Sequence, residues 1–216
     1  MDSPLLWSLI ALQIAFGAFD TLYHHEFTER LPWRASQKDE LRLHGVRNLF
    51  YAAIFLVIGW TEPTGAFAVA LLGALAIEIV ITLMDFVEED RSRRLPASER
   101  VLHTLLALNY GAILALLTPQ LLAWTAEATA VRLVQHGLVS WLCIFGAGGT
   151  ALFGLRDLGA ARRLARMKAR RPALLAAGLK AGSRVLVTGA SGFIGSRLVE
   201  AMVAEGVHVT ALVRDP

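Results

Sequence analysis

The chain has 216 residues, 55% of them hydrophobic and only 18% charged. A soluble globule of this size carries about 25% charged residues, so the composition argues against one. The 21 Lys and Arg against 18 Asp and Glu leave a net charge of +3, too small a surplus to indicate nucleic acid, and none is expected as a partner. A single cysteine, Cys143, excludes an internal disulfide framework and any zinc site of the paired-cysteine type.

A bilayer core takes about 20 predominantly apolar residues per helix, and five runs of that kind are predicted in chain order. Residues 4–23 carry one charge, Asp20, and lack the charged start and small-residue cleavage site of a removable signal peptide. Residues 41–60 turn apolar after an entrance containing Arg42, His44, Arg47 and Asn48, and residues 64–84 are interrupted only by Glu78. Residues 101–126 and 133–155 contain no Asp, Glu, Lys or Arg.

The connections differ sharply in basic content. Arg30, Arg34 and Lys38 follow the first run, Arg91, Arg93, Arg94 and Arg100 the third, and Arg156, Arg162, Arg163, Arg166, Lys168, Arg170 and Arg171 the fifth. The N-terminus and residues 61–63 have none, and the fourth connection has only Arg132. Cytosolic loops collect Lys and Arg, so the expected topology puts the N-terminus outside and the C-terminus in the cytosol of an inner (plasma) membrane. The basic stretch 159–171 reads either as a helix on the anionic inner leaflet or as the positive flank of the fifth span. Small residues at helical spacing, Ala66, Ala70 and Ala74 in the third run and Gly146, Thr150 and Gly154 in the fifth, are expected to be close-packing faces.

Ionisable groups inside spans are costly and tend to mark function. At 3.6 residues per turn, Gln13, Gly17, Asp20 and His24 share one face of the first helix, and His44, Arg47, Asn48 and Tyr51 one face of the second. On the third, the alanine stripe runs on into Glu78, Thr82 and Asp85, and Glu99, His103 and Tyr110 align on the fourth. All lie toward the cytosolic half, whereas His136 falls near the outer end. Asp20, His24, His44, Glu78, Asp85 and His103 are therefore candidate ligands for iron, manganese or zinc, the metals that suit imidazole with carboxylate. The Glu-x-x-His pair of carboxylate-bridged bundles is absent. Other readings of the same groups are haem between His44 and His103, a lipid or quinone headgroup site, and a salt-bridge network in which Arg47 neutralises Asp20 or Glu78. In a further reading, His24, His25, Glu26 and Glu29 are the solvated continuation of the first helix.

The pattern changes after residue 182. Residues 184–187 read as a β-branched strand, 188–195 as a glycine-rich turn, 193–205 as an amphipathic helix and 207–213 as a second strand, one crossover unit. The turn reads Gly189-Ala190-Ser191-Gly192-Phe193-Ile194-Gly195. Glycines at such a turn let the backbone approach a pyrophosphate while helix N-terminal amides face its charge. The run from Val185 to Val199 resembles the short-chain dehydrogenase/reductase superfamily, in particular its extended and atypical, NAD-dependent epimerase/dehydratase-like branch. The resemblance implies that Gly189, Gly192 and Gly195 line the pyrophosphate of a nicotinamide dinucleotide, with backbone contacts from Ser191, Phe193 and Ile194. Arg214, directly after the second strand, favours NADP over NAD, although Asp215 follows it. The family's catalytic Ser/Thr and Tyr-x-x-x-Lys lie beyond residue 216, so no catalytic residue is assigned and the chain is expected to be a fragment of a longer polypeptide. Two strands and one helix cannot cover both faces of a parallel sheet, so loose docking of this unit is expected.

The expected architecture is mainly α: a five-helix transmembrane bundle at 1–157, a basic juxtamembrane helix and linker at 158–182, and the incomplete start of a cytosolic Rossmann-type NAD(P)-binding domain at 183–216. The implied function is that of a membrane-anchored NAD(P)-dependent oxidoreductase or epimerase working on a lipid-linked substrate at the cytosolic face. The alternatives are a redox sensor with a nucleotide-binding module and a small proton-coupled transporter using Asp20, Glu78 and Asp85.

Overall fold

The computed structural model describes residues 3–169 and 179–213. Helix α1, Pro4–Phe19, starts where the Ser3 hydroxyl accepts the Leu6 amide at 3.3 Å and Pro4 takes the first helical position. It widens into a π-helical segment, Asp20–Thr28, closed by the Glu29 amide donating to the His24 carbonyl at 2.8 Å. Two short 3-10 turns, Leu31–Trp33 and Ala35–Gln37, lead to α2, Lys38–Trp60. Strand β1, Thr61–Thr64, then precedes α3, Ala66–Ser92, and α4, Ala97–Thr125, follows after a four-residue connection. Strand β2, Ala130–Leu133, leads into α5, Leu138–Ala169.

Five helices are long and apolar enough to cross a membrane, spanning Pro4–Thr28, Lys38–Trp60, Ala66–Ser92, Ala97–Thr125 and Leu138–Arg166. The fifth starts later than its apolar run suggests, because residues 130–133 are extended and pair antiparallel with β1, Thr61 opposite Leu133 and Thr64 opposite Ala130. This small hairpin-like pair ties two connections together at the end of the bundle opposite the arginine-rich connections, and Arg132 is the one arginine on it. α5 continues unbroken from its apolar part into the basic stretch, where Ala160, Ala161 and Leu164 bury against Leu31 and Leu41. At 1.5 Å per residue its 32 residues extend roughly 48 Å, well beyond a hydrocarbon core of about 30 Å.

The core of the bundle packs Leu6 and Ile10 of α1, Phe55 and Ile58 of α2, Leu71 and Leu75 of α3, Leu117 and Leu121 of α4, and Cys143 and Ala147 of α5. α2 and α5 approach most closely: a Cβ at Gly154 would lie 2.9 Å from the Gly45 carbonyl oxygen, and one at Gly59 would lie 2.5 Å from Cys143 Cβ. The small residues of the fifth span therefore do face partners, Gly146 meeting Ile14 and Phe55. The alanine stripe of the third does not. Ala66 and Ala70 are exposed, and the buried face of α3 is Ala68, Leu71, Leu75, Glu78, Asp85 and Glu89. Larger apolar side chains win that face because burying Leu71 and Leu75 removes more area from solvent than burying alanines. Val69, Ile77, Val80 and Leu83 point away from the core, where lipid would cover them.

Beyond residue 178, β3, Arg184–Thr188, pairs in parallel with β4, His208–Leu212, in the register Arg184 to His208 through Thr188 to Leu212. Helix α6, Phe193–Ala204, connects them. Leu186 and Leu212 remain more than half exposed on this two-stranded sheet, as expected of parallel strands without covering layers.

Candidate functional sites

The arginine-rich end of the bundle holds a buried polar cluster contributed by α1 to α4. The π-helical segment organises it. Wider winding places the residues four and five positions after Asp20 on one side of the helix, so both His24 and His25 turn toward the Asp20 carboxylate. His24 Nδ1 bonds Asp20 Oδ1 at 2.9 Å, and its Nε2 lies 3.2 Å from the Ser98 hydroxyl. His103 Nε2 reaches Asp20 Oδ2 at 3.1 Å, and its Nδ1 faces Glu89 Oε2 at 3.3 Å. His25 Nε2 points between Asp20 Oδ2 at 3.6 Å and Glu99 Oε1 at 3.5 Å.

A second tier fixes these groups. Arg93, 5% exposed, forks between Glu40 at 3.0 Å and Glu99 at 2.6 Å. Burial opposes its charge, yet the hydrogen bonds it donates to Glu99 and Glu40 hold its pKa above the ordinary arginine value. Arg47 pairs with Asp85 at 2.7 Å and donates to His44 Nε2 at 2.6 Å. The His44 ring lies 4.2 Å from that of His25. Arg156 engages Glu26 and Asp157 at the same end.

Of the six ligands expected from the sequence, Asp20, His24 and His103 converge directly. Asp85 and His44 are drawn to Arg47 instead, and Glu78 accepts the Thr82 hydroxyl at 2.6 Å. Arg47 thus neutralises Asp85, not Asp20 or Glu78. One nitrogen or oxygen each from Asp20, His25, Glu99 and His103 lies within 4.8 Å of the others, and all four residues are buried. Sequence reasoning left His25 and Glu99 out. A 3.6-residue period turns His25 away from Asp20, and only the π-helical winding brings it back. Glu99 was recoverable, since it stands one turn from His103 on α4.

A cavity of about 320 Å³ opens above the cluster, inside the bundle. Its polar end is Asp20, His44, Arg47, Asn48, His103 and Tyr110, and its walls include Phe55, Phe86, Phe145 and Phe153. Asn48 Nδ2, Tyr110 Oη and Arg47 Nε are buried there without hydrogen-bond partners. An apolar chamber with a few convergent polar atoms is the usual form of a small-molecule site. Gln13, farther along α1, accepts from Asn109 at 2.8 Å, while His136 lies at the hairpin end against Trp7.

The second site is the turn between β3 and α6. Gly189 has φ of +67°, the left-handed region that glycine tolerates. The Gly192 amide donates to the Gly189 carbonyl at 2.9 Å, and Ser196 returns to the Gly192 carbonyl to start α6. A Cβ at Gly195 would sit 2.0 Å from that Gly189 oxygen, so only glycine lets the helix close on the strand exit. Gly192 caps α6 without a side-chain hydrogen bond, and Phe193 and Ile194 are about 80% exposed beside Ser191 on the open lip of the turn. Orphan first-turn amides of this kind, in the positive field of a helix N-terminus, suit a pyrophosphate. Arg214 lies outside the described residues.

Residues 185–216 match the model of the NAD dependent epimerase/dehydratase family. Comparison with curated proteins and with solved structures returned no match for the chain.

Proposed function

We propose that the chain is the membrane-anchoring portion of an NAD(P)-dependent oxidoreductase or epimerase of the short-chain dehydrogenase/reductase type, working at the cytosolic face of the inner membrane. The observation that carries the reading is the turn 189–195. It joins a parallel strand pair to a helix with glycines at the left-handed and closest-approach positions, within the segment that matches the family. Gly189, Gly192 and Gly195 line the pyrophosphate, the amides near Ser191, Phe193 and Ile194 bind its oxygens, and Arg214 pairs with the 2′-phosphate of NADP. The bundle supplies the anchor. Basic residues at its α1–α2 and α3–α4 connections and at the end of α5 support a cytosolic placement of that end. The amphipathic chamber above Arg47 and Asn48 suits a lipid-linked substrate, whose tail would follow the phenylalanine walls while its polar group meets the unpartnered atoms.

Fluorescence titration of the protein in detergent with NADPH and NADH tests the reading. Saturable binding with tighter affinity for NADPH is expected, lost in Gly195→Ala and shifted toward NADH in Arg214→Ala. Absence of saturable binding to either dinucleotide would overturn it, and a preference for NADH unaffected by Arg214→Ala would overturn the NADP assignment.

A further inference from the structure

The polar cluster has a charge problem that its own side chains leave open. Asp20, Glu40, Glu89 and Glu99 are all buried, and Arg93 is the guanidinium among them, because Arg47 is taken by Asp85. Among the described residues, three formal negative charges remain to be met by imidazole protonation or by a cation. Uncompensated carboxylates at this depth are expensive, so the geometry must favour one of these.

The ring of His25 discriminates. It is 2% exposed, and its Nε2 has no hydrogen-bond partner: both carboxylate oxygens it faces stand at 3.5 to 3.6 Å. A buried nitrogen held between two carboxylate oxygens, within ion-pair reach of both but at the outer limit of a hydrogen bond, is placed to share a third atom with them. His103 Nε2 comes to the same point, completing a group of two imidazoles and two carboxylates with ligand atoms within 4.8 Å. An ion at the centre of such a group lies at coordination distance from all four ligand atoms after only small side-chain adjustments.

The surroundings have the form of a metal's outer shell. Metal-bound histidines donate the other ring nitrogen to a carboxylate, and His103 Nδ1 faces Glu89 Oε2 at 3.3 Å. Ligating carboxylates are themselves hydrogen-bonded: His24 Nδ1 holds Asp20 Oδ1, leaving Oδ2 inward, and Arg93 clamps Glu99. We infer that Asp20, His25, Glu99 and His103 bind a divalent first-row transition metal at the cytosolic end of the bundle. Mixed imidazole and carboxylate ligation suits Fe(II), Mn(II) or Zn(II). Asp20 and His103 also line the chamber, so a remaining coordination position would face whatever occupies it. The site is independent of the dinucleotide turn, and either can fail alone.

The test is metal analysis of the full chain purified from membranes in mild detergent, followed by chelator stripping and reloading with Co(II) alone. About one divalent ion per chain is expected, with visible d–d bands on reloading, no thiolate charge-transfer band, and a higher melting temperature for loaded than stripped protein. Asp20→Asn and His25→Gln should each lower bound metal by about tenfold or more, as should Glu99→Gln, which keeps one of the two acceptors for Arg93. Glu78→Gln, outside the group and bonded to Thr82, should keep it. Circular dichroism confirms the helical content of each variant, so that lost metal is read only from folded protein. A folded wild type without stoichiometric metal and without Co(II) bands overturns the inference, as does equal metal loss in Glu78→Gln.

Discussion

The dinucleotide turn draws all its glycines from residues 189–195, whereas the cluster of the bundle joins Asp20 to His103, 83 positions away, and recruits four helices. The turn is a local device on an exposed unit whose Leu186 and Leu212 lack a covering layer. The cluster is buried and has few ways to relax. A substitution in the turn should therefore abolish dinucleotide binding while barely changing the stability of the bundle, and a substitution in the cluster should leave dinucleotide binding in place while acting on the bundle.

The largest expected effect follows from that contrast. Arg93→Ala leaves Glu40 and Glu99 buried without their guanidinium and should destabilise the bundle by about 3–5 kcal/mol in detergent denaturation. A change under about 1 kcal/mol would mean that water or protonation already neutralises these carboxylates. Next comes packing. Gly154→Leu pushes a side chain into the Gly45 carbonyl and should cost about 1–3 kcal/mol, with α2–α5 cross-linking yields falling in parallel. The smallest effect belongs to Arg132, more than half exposed beside Glu62 and Glu127 on the hairpin. Arg132→Ala should change stability by no more than about 0.5 kcal/mol, and a larger loss would show the hairpin to be better shielded than it is here.

Legibility followed the same division. Five apolar runs were visible because a span needs only length and composition, and the glycine turn was visible because its residues are contiguous. The packed face of α3 was misjudged, since alanine spacing predicted Ala66, Ala70 and Ala74 while bulkier Leu71 and Leu75 took the interior. The pairing of β1 with β2 left little trace, because each strand has four residues and β1 contains Glu62 and Pro63. His25 was hidden by a change of helical winding between Phe19 and Asp20 that no residue pattern announces. Arg93, visible as one of several loop arginines, is the clamp of the cluster only because the fold sets Glu40 of α2 and Glu99 of α4 on either side of it.

The most direct test of the central claim is NADPH binding by the protein in sealed membrane vesicles of known orientation, compared with Gly195→Ala in the same vesicles. Saturable binding at the cytosolic surface alone, absent from the variant, is the predicted result. Binding only from the opposite surface, or equal binding by Gly195→Ala, would contradict the account.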